Sequence, residues 1–184
     1  MRQSFDKGGR SDNYKFEILT HSKSCTSFEC SIPEYNDYLI DDALRSQNDH
    51  IALTWLLVEQ STGKIASYMS LIMDAIKLTG AEKELHNLNY PFRTIPAMKI
   101  AKLAVNHSFS EKYKGIGTFM IANAELLALS CNSEYCAARF LTVDADIEHE
   151  RGVLVFYEKN GFIPNAELYN KNRKTISMRK DIYK

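Results

Sequence analysis

The sequence predicts an α/β fold in which a mixed sheet is covered by helices. Three observations carry that prediction. Extended and helical periodicities follow one another in the order strand, helix, several strands, helix, strand, helix, two strands. Apolar residues make up 45% and charged residues 25% of the chain, the balance of an ordinary globular protein. A length of 184 residues supplies one core and leaves little room for a second domain.

The elements follow in order. Residues 1–13, with Gly8 and Gly9 among polar neighbours, read as a flexible arm, and residues 14–184 as a single domain. Tyr14–Thr20 alternates as a first strand. Ser31-Ile32-Pro33 opens a helix, because proline is tolerated in the first turn and Glu34 and Asp37 suit its positive end. Ile51–Gln60 and Ile65–Ile72 form a hairpin around the turn Ser61-Thr62-Gly63-Lys64. Residues 77–94 are polar and irregular, with a short helix near Glu82–Leu85. Ile95–Val105 is a long strand, and Gly115–Leu129 is apolar at helical spacing. Phe140–Val143 is a short strand. Glu148–Lys159 is a helix stopped at Asn160-Gly161, where a left-handed residue is easy. Phe162 starts an extended segment, and Thr175–Ile182 closes the sheet.

Composition narrows the function classes. Lys and Arg number 23 against 23 Asp and Glu, so the whole chain does not advertise nucleic-acid binding. The charge is uneven, however. Glu34–Asp42 is acidic, and the end is basic, with Lys171, Arg173, Lys174, Arg179, Lys180 and Lys184 against Asp181. That end reads either as a solvated edge strand guarded by its charges or as a contact surface for an anionic partner. An edge strand there is also one route to a homodimer. No apolar run is long enough to cross a membrane, and Met1–Arg10 lacks the apolar segment of a secretory signal, so the cytoplasm is expected. Cys25 and Cys30, and Cys131 and Cys136, are each separated by four residues, but no His stands at matching spacing. Reduced thiols and no metal are expected.

The chemistry lies in Ile100-Ala-Lys-Leu-Ala-Val105 followed by Lys112-Tyr-Lys-Gly-Ile-Gly-Thr118. A strand runs into a loop, and the loop ends in two glycines that open a helix. Glycine lets backbone approach a ligand closely. The N–H groups of a first helical turn have no partner inside the helix and favour negative charge. A pyrophosphate fits there, with Lys112 and Lys114 beside it. The Gly-Lys-Ser/Thr of a nucleotide-hydrolase loop and the third glycine of the dinucleotide fingerprint are both missing.

With Phe140-Leu-Thr-Val-Asp144 as a strand and Phe156-Tyr-Glu-Lys-Asn-Gly-Phe162 on and after the next helix, these motifs resemble the GNAT family of acetyl-CoA-dependent N-acetyltransferases over about residues 50–182. The resemblance implies a mostly antiparallel central sheet with one splayed parallel strand pair. It implies that acetyl-CoA is the cosubstrate and that Leu103, Ala104 and Val105 meet its pantetheine arm through main-chain groups. Its pyrophosphate would sit on Lys112, Tyr113, Lys114, Gly115, Ile116, Gly117 and Thr118. Tyr157 would protonate the departing thiolate, a task that suits a phenol of ordinary pKa about 10. Its bland alternative is a core aromatic beside Phe156 and Phe162. A main-chain N–H, at Val105, would stabilise the oxyanion. Glu29, Asp74, His107, Asp144 and His149 are candidates for a base, and none is assigned, because solvent suffices for an amine of lowered pKa. The family commonly has Arg or Gln where Lys112 stands, and the loop Asn106–Tyr113 is about two residues longer than the compact family form.

For the acceptor, a primary amine of a small molecule or protein is the leading expectation. Phe28-Glu-Cys-Ser-Ile-Pro-Glu-Tyr-Asn-Asp-Tyr-Leu39, with Ile95-Pro96-Ala97, is similar to a GNAT branch that includes toxins of toxin–antitoxin pairs. That similarity implies a second acceptor, the amino group of aminoacyl-tRNA, and an antitoxin partner. A non-catalytic CoA-binding domain is the third reading.

Overall fold

The computed structural model describes residues 3–4, 13–21, 25–149, 152–165 and 174–184. The strands are β1 (Gln3–Ser4), β2 (Tyr14–Ile18), β3 (Leu53–Glu59), β4 (Ile65–Lys77), β5 (Thr94–Val105), β6 (Tyr113–Lys114), β7 (Phe140–Asp146), β8 (Ile163–Pro164) and β9 (Thr175–Asp181). The helices are α1 (Pro33–Asp37), α2 (Ala43–Asn48), α3 (Gly80–Leu85), α4 (His107–Ser110), α5 (Ile116–Glu134) and α6 (Val153–Lys159), with a π-helical turn, Tyr38–Asp42, joining α1 to α2. Seven strands form one mixed sheet in the order β2-β3-β4-β5-β7-β9-β8, and β1 lies parallel to β6. The chain divides into two interleaved units, residues 1–72 with 101–123, and residues 73–100 with 124–184.

In the first unit β2, β3 and the start of β4 form an antiparallel meander, with Phe16 opposite Leu57 and Trp55 opposite Met69. Residues 65–71 of β4 are all buried, as expected of a strand covered on both faces. Leu39 and Ala43 of the helical segment pack with Leu19, Phe28, Leu56, Ile65, Tyr68 and Ala104 into one core. The wide turn at Tyr38 closes with Ala43 N–H donating to the Tyr38 carbonyl. Pro33 opens α1 as its residue type predicts, with Glu34 in the first turn.

In the second unit β5 and β7 run parallel from Ala97 opposite Phe140 to Ile100 opposite Val143, and β7 pairs antiparallel with β9 along its length. Ile76, Leu78, Ile95, Ala97 and Phe140 form its core. α3 is fixed by a reciprocal cap. The Thr79 hydroxyl accepts from Glu82 N–H, and the Glu82 carboxylate accepts from Thr79 N–H at 2.9 Å. α6 ends as Asn160-Gly161 predicts. Gly161 adopts φ +86°, its N–H donates to the Glu158 carbonyl, and Phe162 N–H donates to the Tyr157 carbonyl.

Several expectations need correction. β9 is paired with β7 on one side and with β8 on the other, so it is not the sheet's edge. The helix expected from Glu148 begins at Val153. Glu148 and His149 instead donate their N–H groups to the Asp146 side chain, which holds a turn. The flanking residues 150–151 lie outside the described residues. α5 runs five residues past Leu129 and takes in Cys131. Of the arm expected at residues 1–13, only Gln3, Ser4 and Asn13 are described, and Lys171 and Arg173 of the basic end also lie outside the described residues.

Candidate active site

Within the first unit, β5 leads into the glycine loop. Asn106 N–H donates to the Ala66 carbonyl at 2.9 Å, and the Ala104 carbonyl accepts from the Ser67 hydroxyl at 2.7 Å. Main-chain groups of a strand alternate between its two edges. Ala104 and Asn106 are therefore turned toward β4, and the main-chain groups of Leu103 and Val105 toward the opposite edge of β5.

The loop that follows is built rather than slack. Buried Asn106 caps α4, its side chain accepting from Ser108 N–H at 3.1 Å and the Ser108 hydroxyl at 2.8 Å. His107 N–H donates to the Glu29 carbonyl at 2.7 Å. Buried Phe109 and half-buried Tyr113 pack on Tyr14, with ring centroids 6.3–6.5 Å apart. Burial, then the nearby Tyr113 and Glu59, pushes the Tyr14 phenol well above its ordinary range, so Tyr14 packs as a neutral ring and is no acid near neutral pH. The residues that looked like an insertion are thus a four-residue helix with an aromatic anchor.

Gly115 is exposed and adopts φ +92°, a conformation that costs a residue with a Cβ. Its carbonyl accepts from Phe119 N–H at 2.9 Å, the first bond of the 19-residue α5. The N–H groups of Ile116, Gly117 and Thr118 precede that bond and point out of the helix start. Ile116 is buried and anchors the turn, while Lys112, Lys114 and Thr118 are exposed. The loop combines outward N–H groups, the positive end of a long helix and two lysines, which is what a diphosphate needs.

Within the second unit, Tyr157 is 8% exposed on α6. Its ring meets Phe156 and Phe162 edge-on, at 5.1 and 5.3 Å. The aromatic packing weighed from sequence is real. The side chains of His107, Asp74, Asp144 and His149 each meet a partner, and Glu29 is held through its main chain. Glu29 supplies its carbonyl to His107 in the first unit, where His107 faces Glu111 at 3.5 Å. In the second unit Asp74 accepts from the Thr142 hydroxyl at 2.6 Å, Asp144 pairs with Lys99 at 2.5 Å, and His149 pairs with Asp146 at 2.8 Å. Burial raises the Asp146 carboxyl, but hydrogen bonds from His149 outweigh it and hold Asp146 below the usual carboxylate range.

Sequence reading missed a buried polar network in the second unit. Arg179, 1% exposed, donates to Glu82 at 2.7 Å, Asn165 at 2.8 Å, the Pro164 carbonyl at 3.2 Å and His86 Nε2 at 3.2 Å. His86 Nδ1 lies 2.9 Å from Asp181, which also accepts from Arg139 at 2.8 Å. With Nε2 accepting from Arg179, His86 is the neutral tautomer that carries its proton on Nδ1. Burial first, and then the Arg179 charge, hold its pKa below the ordinary value against the pull of Asp181. Arg179 is therefore neither a solvated charge nor part of a contact surface. Among the described residues no cluster of His, Cys, Asp and Glu could hold a metal ion, and no helix is long and apolar enough to cross a membrane.

The architecture is that of the GNAT fold, a mixed sheet that includes the parallel pair β5 and β7, with flanking helices. Among solved structures, the chain is similar to a tyrosine-to-phenylalanine mutant of KacT, at TM-score 0.73 and 17% identity over 91% of this chain and 95% of that one. It is similar to AtaT complexed with acetyl-methionyl-tRNAfMet, at TM-score 0.71 and 19% identity over 89% and 93% of the two chains. It is similar as well to a tyrosine-to-phenylalanine mutant of the AtaT toxin bound to acetyl-CoA and the C-terminus of the antitoxin AtaR, at TM-score 0.68 and 20% identity over 91% and 94%. No protein-family model and no curated protein matches the sequence.

Proposed function

We propose that the chain is an acetyl-CoA-dependent N-acetyltransferase, residues 14–184 acting as one domain, and that its acceptor is the amino group of an aminoacyl-tRNA. The observation that carries the cosubstrate is the start of α5, where N–H groups open behind the positive φ of Gly115 and beside Lys112 and Lys114. Similarity to structures holding acetyl-CoA and acetyl-methionyl-tRNAfMet supports the reaction and moves aminoacyl-tRNA ahead of a small-molecule or protein amine. The neutral net charge is no obstacle, because tRNA affinity depends on local cations and not on the total. The same similarity supports an antitoxin partner and a cytoplasmic site of action, where acetyl-CoA and charged tRNA are both found.

In this reading the diphosphate rests on the N–H groups from Lys112 to Thr118. Leu103 and Val105 offer main-chain groups to the pantetheine arm, with Ala104 tied to β4 between them. A neutral amine attacks the thioester carbon, and the carbonyl oxygen takes up negative charge that Val105 N–H stabilises. The carbon–sulfur bond then breaks. The CoA thiolate takes a proton from Tyr157, the new amide loses its extra proton to water, and Tyr157 is reprotonated.

Incubation with acetyl-CoA and methionyl-tRNA is expected to release free CoA thiol and to yield acetyl-methionyl-tRNA. Tyr157→Phe is expected to lower kcat about 10²–10⁴-fold with CoA affinity unchanged. Thiol release with small amines but not with aminoacyl-tRNA would overturn the acceptor. An unaltered Tyr157→Phe enzyme would remove the phenol from the chemistry.

A further inference from the structure

We propose that Cys131 and Cys136 are a reversible modification site, oxidised to an intramolecular disulfide by small-molecule disulfides. The two sulfurs lie 3.3 Å apart. Cys136 is exposed and Cys131 half-buried, so a small reagent reaches the pair from solvent.

The backbone holds them in place. Tyr135 and Cys136 N–H groups both donate to the Cys131 carbonyl, at 2.9 and 3.0 Å, which folds the end of α5 back over its last turn. Asn132 then clasps Ala138, donating to its carbonyl at 2.9 Å and accepting from its N–H at 2.5 Å, and donates to the Tyr183 hydroxyl at 2.7 Å. A turn clasped on either side of Cys136 presents the thiols to each other whatever the surrounding solvent does. A disulfide needs sulfurs about 2.05 Å apart, so the closing motion is roughly 1 Å and lies within reach of side-chain rotation.

The remaining cysteines show the contrast. Cys25 is fully buried, and the Cys30 thiol donates to the Ile32 carbonyl at 3.4 Å. Burial pushes the Cys30 thiol up despite that bond. Neither presents an accessible thiol to a reagent as Cys136 does.

The exchange balances in two steps. The exposed Cys136 thiolate attacks one sulfur of the small disulfide, the sulfur–sulfur bond breaks, and the first small thiolate leaves. The Cys131 thiolate then attacks the Cys136 sulfur and expels the second. The protein gives up two protons and two electrons, and the reagent becomes two thiols. The hydrogen bond that the Cys136 thiol makes with Cys131 holds it above its usual range, so oxidation is expected to accelerate as pH rises.

The test uses the full chain and oxidised glutathione, read by intact mass and peptide mapping. The wild type is expected to lose two hydrogens in mass, to map the crosslink to the Cys131–Cys136 segment, and to recover fully in dithiothreitol. Cys131→Ser is expected to accumulate a stable glutathione adduct on Cys136, because the second thiol is missing. Cys25 is expected to stay unmodified in both. Stable adducts on the wild type, or an unmodified wild type whose Cys136 is nonetheless alkylated by iodoacetamide, would overturn the proposal. These readouts do not depend on acetyl transfer, so they stand apart from the activity proposed above.

Discussion

Two charged regions of this chain look alike in sequence and behave oppositely in structure. The glycine loop of the first unit keeps Lys112 and Lys114 in water and offers main-chain N–H groups beside them. The β9 region of the second unit takes Arg179 from a similarly basic stretch and buries it, with donations to Glu82, Asn165, the Pro164 carbonyl and His86. In the first region the charge is exposed to solvent. In the second, charge is already satisfied by the fold. A basic residue therefore signals a binding surface only when its donors are left without internal acceptors. A run of lysines and arginines in sequence does not reveal that.

The comparison breaks most clearly at Arg179. Arg179→Ala leaves the Glu82 carboxylate buried without its guanidinium, and is expected to cost about 3–5 kcal/mol in urea denaturation. Its CoA affinity, measured on the folded fraction, is expected to be unchanged. A loss of affinity at full stability would place Arg179 in binding instead.

A smaller effect sharpens the same contrast from the helix that carries Tyr157. Gly161→Ala is expected to destabilise by about 1 kcal/mol in the same assay, because φ +86° strains an alanine and its Cβ would meet the Lys180 side chain at 3.3 Å. A stability equal to wild type would show that the end of α6 tolerates the methyl group.

The parts of the fold legible in sequence share one property: their determinants are local. Pro33 with Glu34, the Asn160-Gly161 stop and the Phe140–Val143 run each carry their own signal within a few residues. The Gly115–Gly117 loop was legible for the same reason. What escaped depends on distant partners. Glu82 is 97 residues from Arg179, and His86 is 95 from Asp181, so no spacing rule joins them. α4 escaped because four residues, His107–Ser110, carry too little periodicity, although the Asn106 cap with Ser108 two residues on was a usable hint. The end of β4 escaped because Met73, Ala75 and Lys77 are exposed and its alternation lacks an apolar signature there.

The most direct measurement is calorimetric titration of CoA into the wild type and Gly117→Glu. A carboxylate placed among the N–H groups at the start of α5 repels a diphosphate and fills the space beside it. The account predicts measurable binding by the wild type, and binding lost from Gly117→Glu while its circular dichroism and melting curve stay wild-type. Equal affinity in the two proteins would contradict it.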